Sequence, residues 1–128
     1  MQGVRYSIAV ATMTIAVNTM AAEKGWVKLR GNALTQAFAN QNFGDGVHFA
    51  YQFLPAGQLH GMNMGRQVHG RWWVVGNQLC WRRATSKPPE ECYEVRQQGQ
   101  AVRLFLDGQE VQSGDLTPLR PNPTEVTR

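Results

Sequence analysis

GRWWVVGNQLCW, residues 70–81, sets two runs of aromatic and β-branched residues on either side of Gly76-Asn77, a dipeptide suited to a two-residue type II′ hairpin turn. Such a turn makes Val75 face Gln78, and so pairs Val74 with Leu79, Trp73 with Cys80 and Trp72 with Trp81. Side chains alternate between the two faces of a strand, so Trp72, Val74, Leu79 and Trp81 share one face while Trp73 and Cys80 share the other. The next hairpin offers an independent check. If Cys80 and Cys92 lie opposite each other, Leu79 meets Tyr93, Arg82 meets Glu90 and Gln78 meets Glu94, and apolar again falls with apolar. Trp72 and Trp81 are therefore expected in a core, with Trp73 outside.

Outward from this hairpin the pattern persists. From Val47 onward the hydrophobic period is two, with turn signals at 55–57, 76–77, 86–89, 98–99 and 107–108. The expected architecture is mainly β: an antiparallel meander of six to seven strands, curled into a small barrel or half-barrel so that each apolar face is covered. In AVRLFLD (101–107), Val102, Leu104 and Leu106 point inward and Arg103 outward. The one helix is expected within GNALTQAFANQN (31–42), with Asn32 as N-cap and Leu34, Ala37 and Phe38 on one face.

The N-terminus has a different character. A short basic start, an uncharged apolar run at 6–17 and the small residues of NTMAA (18–22) describe a secretory signal, residues 1–21, cut after Ala21 or Ala22. The run is shorter than the ~20 residues that span a bilayer. One β-rich domain is expected over 22–116, and the proline-rich 117–128 form a flexible tail. The exported chain would be periplasmic or secreted, an oxidising setting in which Cys80 and Cys92 pair as a disulfide. Without Arg5 the chain has 12 Lys and Arg against nine Asp and Glu. This mild excess, interleaved with Glu90, Glu91, Glu94 and Asp107, argues against a nucleic-acid footprint.

The order of helix, VHFAYQFLPAGQLHG, GRWWVVGNQLCWR, EECYEV and a proline-rich end resembles small exported bacterial proteins of uncharacterised function. The resemblance spans roughly 29–122 and rests on Gly57, Gly70, Trp72, Leu79, Cys80, Cys92 and Val95 in a G-x-W, L-C, C-x-x-V pattern. His60, Met62 and Met64 depart from it, standing where mainly polar or charged residues are expected. The group implies a compact disulfide-pinned β domain and carries no catalytic residues to transfer.

Enzyme signatures are scarce: the chain has no G-x-S-x-G, H-E-x-x-H or G-x-x-x-x-G-K-[ST]. A non-enzymatic binding or inhibitory module of the cell envelope is the leading expectation, its partner an envelope protein or small ligand. Trp73 flanked by Arg71 and Arg82 has the composition of an interface hot spot. No cofactor is required for this role. The alternative is a soft-metal protein. A Pro55-Ala56-Gly57 loop pairs Leu54 with Gln58, Gln52 with His60, Ala50 with Met62 and His48 with Met64. Val47, Phe49, Tyr51 and Phe53 then face the core, while His48, His60, Met62 and Met64 share the opposite face as imidazole and thioether ligands suited to copper.

Overall fold

The computed structural model describes residues 2–4, 7, 9–11, 25–84 and 90–119. The cleavage site at Ala21 or Ala22, the turn at 86–89 and the tail from 120 onward lie outside the described residues. The ordered elements are β1 (Val27–Lys28), α1 (Asn32–Phe38), β2 (Gln41–Gly44), β3 (Phe49–Phe53), β4 (Gln58–Asn63), β5 (Arg66–Val75), β6 (Gln78–Arg83), β7 (Glu91–Gln98), β8 (Ala101–Leu106) and β9 (Gln109–Pro118). Each strand from β2 to β9 pairs antiparallel with the next, and β9 pairs back onto β2. The result is a closed eight-stranded barrel, with β1 added on β7.

The hairpin registers are those the turns dictate. Trp72 faces Trp81, Trp73 faces Cys80 and Val74 faces Leu79. Gly76 takes φ 56° as the first central residue of its turn, a value that glycine adopts without a Cβ penalty. Cys80 faces Cys92 and is bonded to it, and Leu79 faces Tyr93. In the first hairpin Gln52 faces His60 and Ala50 faces Met62, while the Met64 N–H donates to the His48 carbonyl.

Inward residues grade from apolar to polar along the barrel axis. Near the end that α1 covers, Phe53, Leu59, Trp72, Leu79, Val95, Val102 and Leu116 are buried with Leu34 and Phe38 of the helix. The Phe38 ring centre lies 5.0 Å from that of Phe53 and 6.1 Å from that of Phe43, both edge-on. A seven-residue helix has little stability of its own. Burial of Leu34 and Phe38, worth roughly 1.5–3 kcal/mol each, holds it on the barrel.

Several expected boundaries move. Nine strands are present among the described residues rather than six or seven: β3 to β9 form the meander expected from Val47 on, and β1 and β2 precede it. The helix ends at Phe38 because Asn40 turns the chain at φ 60°, leaving Gln41 and Asn42 to open β2. Its N-cap is Gly31 and not Asn32: with φ 51° Gly31 turns the chain a residue early, and Asn32 becomes the first helical residue. Val47 is 82% exposed instead of buried. Asp45 accepts hydrogen bonds from the N–H groups of Val47, His48 and Phe49, folding these residues into a loop so that alternation begins only at Phe49. Leu106 is also exposed, at the last position of β8. β9 runs through Pro118, two residues beyond the boundary drawn at 116, because Thr117 and Pro118 pair with Asn42 and Gln41.

Candidate functional site

The outer face of β4, β5 and β6 is built in cross-strand rows about 7 Å apart. Directly opposed side chains within a row have Cβ atoms about 4.5–5.5 Å apart. In one row Gln58, Arg71 and Arg82 stand side by side, all exposed. Arg71 Nη2 also reaches the Ala56 carbonyl at 3.4 Å. The row above holds Trp73 opposite Cys80, whose bond to Cys92 ties β6 to β7 beneath the half-buried indole. Trp73 is thus held on a rigid three-strand platform with two guanidiniums beside it. Trp72 takes the opposite course: it is 7% exposed, and its Nε1 donates to the Leu54 carbonyl at 2.9 Å.

Charge is segregated on this barrel in a way that the interleaved sequence conceals. No Asp or Glu occurs between Asp45 and Glu90. Strands β4 to β6 therefore present Arg66, Arg71 and Arg82 with no carboxylate among them. Apart from Asp45, the acidic side chains of the described residues lie from Glu90 onward, where Glu94 pairs with Lys28 at 3.2 Å and Glu110 with Arg103 at 3.5 Å. There Arg96 stacks over Phe105 and Arg103 over Trp26. Arg71 and Arg82, by contrast, form no ion pair with a carboxylate of β4 to β6, since those strands carry none.

The four residues expected as copper ligands do not converge. His60 and Met62 lie on the outer face of β4, but Met64 sits in the β4–β5 turn at φ 51°, 72% exposed. His48 lies opposite Met64, four residues from His60, which is about 13 Å at the strand rise of about 3.3 Å per residue. Its ring is bonded to Asp45, with Nδ1 2.7 Å from Oδ2. Desolvation acts to raise the Asp45 carboxyl, but the N–H groups of Val47, His48 and Phe49, together with the His48 ring, outweigh it and hold the group well below the ordinary carboxylate range. What faces His60 is His69, across the β4–β5 ladder.

Compared with known families, characterised proteins and solved structures, the chain gives no match. Its own geometry has to carry the functional argument.

Inside the barrel, the end away from α1 is polar. Tyr51, Arg83, Glu91, Tyr93 and Gln112 all point inward there, Arg83, Glu91 and Gln112 half-buried. Burial raises the Tyr93 phenol, and its hydrogen bond to the Glu91 carboxylate raises it further. Burial also raises Tyr51, against the opposing pull of Arg83 and Gln112. These phenols stay protonated and act as hydrogen-bonding groups, with the Trp81 indole packed at a tilt between them, its ring centre 5.3 Å from that of Tyr51 and 4.9 Å from that of Tyr93. Buried Trp81 Nε1 finds no acceptor among the described residues. Sequence parity places these side chains inward but does not reveal that their polar atoms gather at one end.

Proposed function

We propose that this chain is an exported, non-enzymatic binding module whose partner docks on the outer face of β4 to β6, centred on Trp73 with Arg71 and Arg82. The observation that supports this most is the pairing of Arg71 with Arg82 beside Trp73, on strands that carry no carboxylate. A rigid indole next to exposed cations supplies contact area at small entropic cost, and the cations supply orientation. The Cys80–Cys92 bond and the apolar run at 6–17 support an oxidising destination outside the cytoplasm. The partner carries acidic groups, as the charge of this face demands.

The test is capture from envelope extract by the protein, by Trp73→Ala and by Arg71→Ala/Arg82→Ala. A partner retained by the wild type and lost by both variants, with capture weakening as salt rises, is the expected result. Equal capture by all three proteins overturns the assignment of this face.

A further inference from the structure

We propose that His60 and His69 form a binding site for a cuprous ion, with the thioether of Met62 as third ligand. The β4–β5 register sets His60 directly opposite His69, and both side chains are exposed. Their ring centres are 5.1 Å apart with an interplanar angle of 79°. That separation admits a shared ion: with a metal–nitrogen distance of about 2.0–2.1 Å and a ring nitrogen about 1.1 Å from its ring centre, two imidazoles at a tetrahedral to trigonal angle have centres about 5–5.5 Å apart. Neither ring makes a hydrogen bond among the described residues, in contrast to His48, which Asp45 holds. Met62 follows His60 on the same face of β4, diagonal to His69, and is 44% exposed. Its three rotatable bonds let the sulfur swing toward an ion on the imidazole pair.

The surroundings select the kind of ion. Across the sheet the His row continues to Gln52 on β3 and to Ala84, whose N–H donates to the His69 carbonyl. The adjoining row holds Ala50, Met62 and Gln67, and the row on the other side holds Gln58, Arg71 and Arg82. Among the described residues of these rows on β3 to β6 no carboxylate or thiolate stands to offset a second positive charge, and the two guanidiniums penalise one. Two neutral imidazoles and a thioether make a soft, low-coordinate and uncharged donor set, which suits Cu(I) better than Zn(II) or Cu(II). Binding is simple ligation. The imidazoles enter neutral, the ion keeps its charge, and no electron is transferred.

The experiment titrates the protein with Cu(I) against a coloured cuprous chelator, with ascorbate as reductant so that the Cys80–Cys92 bond stays intact. Transfer of one ion per chain is expected, with affinity falling at least tenfold in His60→Ala and in His69→Ala and several-fold in Met62→Leu. His48→Ala, Met64→Leu and Trp73→Ala bind as the wild type does, the last separating this site from the docking face. In the unmodified protein, NMR signals of the His60 and His69 rings shift on adding Cu(I) while those of His48 do not, a measurement that needs no variant to fold. Failure to draw one ion from the chelator overturns the site. So does an effect of His48→Ala as large as that of His69→Ala. Equal competition by Zn(II) overturns the cuprous assignment.

Discussion

Adjacent Trp72 and Trp73 meet opposite fates because a strand alternates, and their substitution separates core from platform. Trp72→Ala empties a buried site and breaks the bond from Nε1 to the Leu54 carbonyl, so a loss of about 3–5 kcal/mol is expected in denaturant unfolding. Trp73→Ala removes a half-buried ring from the outer face and costs markedly less. Equal midpoints for the two variants would contradict the register. Asp45 supplies a second test at this scale. Its carboxyl is held below the ordinary range in the folded protein, so its contribution to stability is fully present above about pH 4 and is lost as pH falls toward the native value. Asp45→Asn keeps one acceptor oxygen but not the charge. The difference in Tm between wild type and Asp45→Asn should therefore shrink as pH drops below about 4; a difference that persists unchanged means that loop geometry alone sets the stability.

At the scale of elements, the Cys80–Cys92 bond ties β6 to β7 across a sequence separation of 12. On the chain-entropy account a loop of that size is worth about 3 kcal/mol. Replacing both cysteines by serine should lower stability by that order in thermal unfolding, and an unchanged Tm would show that the barrel does not depend on the bridge. The hairpins around it were legible because Gly76-Asn77 and Pro55-Ala56-Gly57 each dictate a register from a few local residues. β1 and β2 were not, since two and four residues are too few to show a period. Moreover, β2 exists to pair with β9, a contact no local signal announces. The Trp73, Arg71 and Arg82 platform followed from parity alone. His69 carries no signal of its own, since only the turn at Met64-Gly65, φ 51° and 79°, brings it across from His60. A two-residue turn there pairs Asn63 with Arg66, and so His60 with His69.

The whole molecule depends on closing eight strands around a core crowded with rings, and inward glycines make the closure possible. Gly61, Gly70 and Gly114 occupy inward positions where the strands coil so tightly that a neighbouring backbone crosses the space of a Cβ. A Cβ at Gly70 would stand 1.9 Å from the Arg82 carbonyl oxygen, and one at Gly61 would stand 2.2 Å from that of Ala50. Both contacts are with backbone, so no side chain can swing aside to relieve them. Alanine at Gly70 must uncoil β5 from β6 next to the Trp72–Trp81 pair. The strain reaches the core through the strands themselves, and a cost at or above the ~1–3 kcal/mol typical of overpacking is expected. Gly76 makes the control, because its Cβ position is open and only its φ of 56° is special. An L side chain is strained at that position of a type II′ turn but meets no neighbouring atom, so Gly76→Asn should cost on the order of 1 kcal/mol and less than either inward variant. Urea unfolding of Gly70→Ala, Gly61→Ala and Gly76→Asn decides the matter: the two inward variants should lose far more than the turn variant, and similar losses in all three would mean that close approach at the inward glycines does not set the curvature of the barrel.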